Sequence, residues 1–200
     1  MKIKIIKLNN KKDEEKFEKK IWFYKSIFYI RTKFVLESIE KNTKYNSVIN
    51  ALNIKSRIDR INYIYDKACS EIDEYNRANK INCEFKDGRC LNQYNTKKYN
   101  GCCRLCRLQS SHGCTSQNIT CKLFFCDQLE KKYKIMKFND IKILKCLSLT
   151  NKMIVKYNYF ETKESFLRTL YINSIIIFAI KVVINIIKNA VYLYKVSKKA

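Results

Sequence analysis

Eight cysteines lie within 44 residues, at the spacing Cys83-x6-Cys90-x11-Cys102-Cys103-x2-Cys106-x7-Cys114-x6-Cys121-x4-Cys126. The same stretch holds the only histidine, His112, and all three glycines, Gly88, Gly101 and Gly113. Thiolates are soft ligands, and four of them arranged tetrahedrally bind zinc or hold an iron-sulfur cluster. Cys103-Arg104-Leu105-Cys106 has the spacing at which one tight turn presents two sulfurs to one ion, with Gly101 just before it to help the chain turn. The adjacent thiols of Cys102 and Cys103 project differently from an extended backbone, so they serve different ions or different sides of one cluster. Lys97, Lys98, Arg104, Arg107 and Lys122 outnumber the neighbouring Glu84 and Asp87. Positive surroundings favour the thiolate and offset the negative charge of a four-thiolate zinc site. The expected metal ligands are therefore Cys83, Cys90, Cys102, Cys103, Cys106, Cys114, Cys121 and Cys126, with zinc preferred over an iron-sulfur cluster. Eight thiols complete two four-sulfur sites, or one site with spare thiols. His112, in the loop Ser110-Ser111-His112-Gly113-Cys114, reads as a solvated histidine before it reads as a replacement ligand.

One part of this pattern resembles a known family. Cys106-Arg107-Leu108-Gln109-Ser110-Ser111-His112-Gly113-Cys114, followed by Cys121-Lys122-Leu123-Phe124-Phe125-Cys126, is similar to the second half of a bacterial cysteine-rich family described as zinc- or iron-chelating. The resemblance rests on Gly113-Cys114, on Cys121-Lys122, on Phe124 through Cys126, and on Cys102-Cys103 as the family's adjacent pair. It covers residues 102–126. Ile119-Thr120 stands where the family carries Arg-Pro, and the first half is compressed relative to the family's long insert. What the resemblance implies is metal chelation.

Catalytic constellations are missing from the sequence, so the expected function is non-catalytic and no catalytic or organic-cofactor residues are assigned. There is no glycine-rich phosphate loop and no HExxH, and Cys114 stands where a deaminase needs a glutamate two residues after its histidine. Two other readings remain. A zinc-ribbon-like nucleic-acid binder would use Lys97, Lys98, Arg104, Arg107 and Lys122, with Tyr94, Tyr99, Phe124 and Phe125 stacking on bases; packing around the metal loops is the plainer reading of those aromatics. An iron-sulfur redox enzyme would use the same thiols, without a second motif to support it.

The chain has 200 residues and a formal net charge of +23. Lysine outnumbers arginine 33 to 8, and Lys, Ile and Asn make up 40% of the chain, so part of the charge reflects biased composition. The remainder favours anionic partners, among them an acidic membrane surface. A lysine-dominated charge suits sequence-specific nucleic-acid contacts poorly, because arginine makes the bidentate ones. Met1–Leu8 (MKIKIIKL) has no apolar core of a cleavable signal, so the expected compartment is the cytoplasm, where clustered thiols mean metal or redox chemistry more often than disulfides.

The elements that must position the cysteines read as helices. Proline is absent and glycine is confined to the cysteine stretch, so the expected fold is mainly α, a helical hairpin or small bundle clamping an irregular cysteine-rich metal-binding insert. Three regions follow: 1–82 amphipathic helices, 83–126 the cysteine region, and 127–200 a second helical region. Residues 10–40 read as one helix capped by Asn10, with Phe17, Ile21, Tyr24, Phe28 and Val35 on one face. Residues 44–81 carry a stripe of Val48, Ala51, Ile54, Ile58, Ile61, Tyr65, Ala68, Ile72 and Tyr75, with a break near Asn53 where Ser56 and Asp59 resemble a capping box. Cys69 and Cys146 read as core residues. Asp127–Tyr133 and Asp140–Tyr159 read as shorter helices. The last helix, 165–196, is long and apolar, but Ser174, Lys181, Asn185, Lys188, Tyr192 and Lys195 form a polar stripe along it. A central lysine costs roughly 2.5–3.5 kcal/mol in a bilayer. The helix is therefore expected to lie along a membrane, or to pack in the domain with its polar stripe outward.

Overall fold

The computed structural model describes residues 2–28, 31–38, 43–81, 85–86, 89–90, 106–110, 113–114 and 118–198. The architecture is mainly α, arranged as a small helical bundle. At its centre is helix α3 (Arg57–Ala78). Ser56 caps it by accepting from the Asp59 N–H, which removes one of the orphan donors of the first turn. Ile61, Ile64, Tyr65, Ala68 and Ile72 recur at three- and four-residue steps and are all buried. Helix α2 (Thr43–Asn53) precedes α3 and buries Tyr45, Val48, Ile49, Ala51 and Leu52. The break near Asn53 and the Ser56 cap thus fall where the sequence places them. Ile58 lies on the predicted stripe but is exposed.

The described part of residues 10–40 differs from the single helix expected there. Strand β1 (Lys2–Leu8) leads through α1 (Lys11–Phe23) and a π-helical turn, Tyr24–Phe28, into strand β2 (Thr32–Ser38). The two strands pair in parallel, Lys2 opposite Thr32 through Leu8 opposite Ser38. Asn10 caps α1 as expected, accepting from the Asp13 N–H at 3.0 Å. The helix ends early because Thr32–Glu37 also alternates buried and exposed side chains, and that period of two is what the strand pairing uses. On its other edge β2 is held by a side chain in place of a third strand. The Phe34 N–H donates to Asn53 Oδ1 at 2.8 Å, and Asn53 Nδ2 donates to the Phe34 carbonyl at 2.9 Å. A sequence stripe cannot reveal this pairing, because the partner residues lie about thirty positions apart.

After the cysteine region come α4 (Ile119–Lys122), α5 (Asp127–Lys132), two 3-10 turns (Phe138–Asp140 and Lys142–Cys146), α6 (Leu149–Tyr157), α7 (Lys163–Ile172) and α8 (Ile175–Ser197). Two expectations change here. Lys142–Cys146 winds as a 3-10 turn, and α6 starts only at Leu149, where Ser148 accepts from the Asn151 N–H. The long terminal helix is divided at Asn173, which adopts the left-handed conformation (φ 55°) at the end of α7, a conformation asparagine tolerates. Helix α1 packs on β1 and on the turn Lys142–Cys146, while α3 packs on α2, that same turn, α4 and α7. The arrangement is therefore a bundle around α3, without an α1–α3 hairpin. Phe166 of α7 meets Tyr65 of α3 with ring centroids 5.6 Å apart. The buried side chains of β1, β2, α1, α2, α3, α6 and α7 form one continuous core.

Glu18 of α1 ties three elements together. Its carboxylate accepts from Lys142 at 2.8 Å, from Lys145 at 2.5 Å and from the Tyr45 hydroxyl at 2.7 Å. Burial alone pushes this carboxyl up, but the hydrogen bonds from Lys142, Lys145 and Tyr45 outweigh it and hold the pKa at about 2, below the ordinary 4.5. A carboxyl depressed in the folded state stabilises fully above its unfolded pKa, and that contribution is lost as pH falls from about 4.5 toward 2. Acid unfolding followed by circular dichroism should therefore show a loss of stability through that window. The Glu18→Gln variant should be less stable at pH 7 and show a flatter acid dependence.

Candidate functional site

Among the described residues the cysteines fall into two classes. Cys146 is buried in the core, and burial pushes its thiol up to about 12. Cys69, half-buried on α3, is raised to about 11, again chiefly by burial. Both are protonated at neutral pH and fill space as small apolar groups, as the sequence indicates. Neither belongs to the cysteine stretch.

Of the eight expected ligands, Cys106 and Cys126 are buried, and Cys121 is half-buried. Cys106 Sγ accepts from the Leu108 N–H at 3.4 Å. Cys121 lies in α4, whose start is capped by Asn118 Oδ1 accepting from the Cys121 N–H at 2.9 Å. Cys126 occupies the N-cap position of α5 without making a side-chain cap. For Cys90 and Cys114 the backbone is described. Strands β3 (Phe85–Lys86) and β4 (Arg89–Cys90) pair with Phe85 opposite Cys90, and β5 (Gln109–Ser110) and β6 (Gly113–Cys114) pair with Gln109 opposite Cys114. Cys83, Cys102, Cys103 and His112 lie outside the described residues. Among the described residues no group of three or more His, Cys, Asp or Glu side chains is gathered as a metal site.

What the structure does bring together is a buried polar cluster joining the cysteine segment to α8. The Arg107 N–H donates to Asn189 Oδ1 at 3.0 Å, and its Nη2 donates to Asn185 Oδ1 and to the Phe160 carbonyl, both at 3.2 Å. Phe160 adopts a left-handed backbone (φ 63°), uncommon for a bulky residue, and this turn delivers Glu161 beneath α8. Asn185 Nδ2 donates to Glu161 Oε1 at 2.6 Å. Lys181 Nζ lies within 3.2 Å of four oxygens, namely Glu161 Oε2, the Ser165 carbonyl and hydroxyl, and Thr169 Oγ1. Asn118 Nδ2 donates to the Glu161 carbonyl at 2.7 Å, so the segment that carries Cys121 is fastened to the same point. Burial raises the Glu161 carboxyl, but bonds from Ser165, Asn185 and Lys181 outweigh it and hold the group below the usual carboxylate range.

This cluster reverses one of the two orientations expected for the terminal helix, the one packed in the domain with its polar stripe outward. Lys181 and Asn185 face the protein together with Phe178 and, in part, Val182, and most other apolar residues of α8 face outward. Ile176 is 69% exposed, Ile180 54%, Val183 56%, Ile187 56% and Tyr194 60%. An ordinary surface helix does the reverse. Of the cations and aromatics considered for nucleic-acid binding, Lys122 is paired with Asp73 at 2.5 Å, Arg107 is held inside the cluster, and Phe124 packs edge-on against Tyr159. Lys97, Lys98, Arg104, Tyr94 and Tyr99 lie outside the described residues. Glu161 was not singled out in the sequence. The signal for it was the need of Lys181 and Asn185 for a buried acceptor.

Comparison with known proteins found no matching family model, no matching curated protein and no matching solved structure.

Removing one member of a buried ion pair leaves the other charge unpartnered. The Glu161→Ala variant should lower the unfolding free energy by about 3–5 kcal/mol. The double variant Glu161→Ala/Lys181→Met should cost less than the sum of the two single changes, because both charges then leave together. Chemical denaturation of the four proteins measures this directly.

Proposed function

We propose that the protein is a non-catalytic, metal-binding cysteine-cluster protein attached to an acidic membrane surface through α8, on the inner face of the membrane. The observation that carries the attachment is the inverted burial of α8. Its segment Ile175–Lys195 is 21 residues long, and one whole side of it is apolar and unpacked. Roughly 20 residues suffice to cross a bilayer. The other side of this helix is fastened to Glu161, Ser165 and Thr169, so α8 is read as lying in the interface with its apolar face inserted. The cost of a central lysine falls away in this arrangement, since the Lys181 ammonium is satisfied on the protein side. Lys188, Lys195 and Lys198 remain exposed along the helix. Lys188 and Lys195 continue the stripe of Lys181 and so flank the apolar face, from where long lysine side chains reach lipid phosphates.

The metal half of the reading rests on the spacing of the eight cysteines, with zinc as the preferred ion and an iron-sulfur cluster as the alternative. Two features suit it. Cys106 accepts a backbone N–H on sulfur, a contact a ligand thiolate uses, and Arg107 beside it anchors the segment to the membrane-facing helix. Metal would supply folding energy to a region whose sequence is rich in polar residues. The Arg107–Asn185–Asn189 link supports reading this region as lying near the same surface as α8.

Sedimentation with vesicles of mixed zwitterionic and anionic lipid tests the attachment. The full chain should pellet with the vesicles, and Ile180→Asp/Ile184→Asp, at exposed positions that leave the core intact, should stay in the supernatant. The idea fails if the wild-type protein does not pellet, or if the double variant pellets equally well. Elemental analysis of protein purified without oxygen should find about one or two zinc ions per chain. Cys121→Ser and Cys126→Ser should each lower that content; full retention of metal in both would remove these residues as ligands. Iron with sulfide in place of zinc would identify a redox cluster.

A further inference from the structure

A cleft of about 540 Å3 opens between α1, the segment 138–145 and α6. It is built from a different part of the molecule than α8 and from none of the eight clustered cysteines. Its floor is Ile141 and Leu144, and its walls carry three large apolar side chains that the fold leaves in solvent: Trp22 is 57% exposed, Leu149 74% and Met153 44%. Around them stand Lys19, Lys145, Lys152 and Lys156, against a single carboxylate, Glu18. That carboxylate is already engaged by Lys142, Lys145 and the Tyr45 hydroxyl. Lys156 lies over the Phe138 ring at 4.9 Å. Among the described residues no carboxylate pairs with Lys19, Lys152 or Lys156.

We propose that this cleft binds an organic phosphate, a small molecule whose flat or aliphatic body lies against Trp22, Leu149 and Met153 while its phosphate sits among Lys19, Lys152 and Lys156. Both halves of the ligand are needed to account for the walls. An uncharged apolar molecule would strip water from several ammonium groups and give nothing back. Inorganic phosphate would satisfy the lysines and leave the indole and the two aliphatic side chains wet. A phosphate group brings more than one negative charge and several acceptor oxygens to a cluster of like charges that the protein itself does not neutralise. The volume falls in the range of about 300–1,000 Å3 common to small-molecule sites. The half-buried Lys152 supports the reading independently. Burial first, and then the like charges of Lys145 and Lys156, hold its ammonium below the ordinary lysine range, and a bound anion would relieve that strain.

The cleft carries its own reporter. Trp22 is the only tryptophan in the chain, so indole emission reads this wall and no other. The full-length protein is titrated with three probes: a nucleoside triphosphate, a soluble short-chain phosphatidic acid, and inorganic phosphate. A saturable change in Trp22 emission with either organic probe is the expected result, and which of the two binds more tightly identifies the source of the phosphate. Lys152→Met/Lys156→Met, on the cleft side of α6, should weaken that binding by about tenfold or more at unchanged helical circular dichroism. Lys131→Met/Lys132→Met, which removes the same charge from α5, should leave it unchanged. The proposal is overturned if neither organic probe moves the emission, if inorganic phosphate binds as tightly as both, or if the α5 variant weakens binding as much as the α6 variant does.

Discussion

The orientation of the last helix depends on one buried carboxylate. Glu161 accepts from Lys181 and Asn185 of α8 through its two oxygens, and from Asn118 through its backbone carbonyl. A helix with isoleucine and valine over most of its surface would ordinarily bury that surface and leave its few polar groups in water. Here the polar groups have a better partner inside than outside. A buried carboxylate without its donors is costly, and a helix lysine without a carboxylate would return to solvent. The two requirements hold each other in place, and the apolar face is turned outward as the consequence.

Scarcity of acid gives the same logic a wider reach. The chain has 18 acidic residues against 41 lysines and arginines, so most cations cannot have a carboxylate of their own. The interior acids are used several times over. Glu18 joins α1, α2 and the turn Lys142–Cys146 by accepting from two lysines and a tyrosine, and Glu161 joins α4, α7 and α8. Surface ion pairs such as Lys7–Glu37 and Lys163–Asp66 are exposed and contribute little. The lysines left over gather along α8 and around the cleft beside Trp22, where the protein offers positive charge next to apolar surface. The proposed membrane and organic-phosphate partners share that amphipathic, anionic chemistry.

The thiols illustrate how environment divides a single residue type. Cys146 and Cys69 sit against the core, where desolvation holds them protonated and unreactive. Cys106, Cys121 and Cys126 are placed instead by backbone features: a turn that directs an N–H at sulfur, the capped start of α4, and the N-cap of α5. Arg107 connects the first of these to α8, so a change in the cysteine segment reaches the outward-facing helix through two hydrogen bonds, to Asn185 and Asn189.

What local chemistry dictates was readable in the chain itself. The Ser56 cap and the apolar stripe of α3, the Asn10 cap of α1, the mainly helical class and the core character of Cys69 and Cys146 all depend on residues within a turn or two of one another. The strand Thr32–Ser38, the break at Asn173 and the orientation of α8 were decided by tertiary structure. Thr32–Ser38 becomes a strand because β1 and the Asn53 amide satisfy its two edges from distant positions. The stripe of Lys181 and Asn185 marks a polar face in sequence, yet periodicity gives only the existence of such a face and never its direction. Direction depends on where the best partner lies, and here that partner is Glu161, twenty residues before Lys181, delivered beneath the helix by the left-handed turn at Phe160.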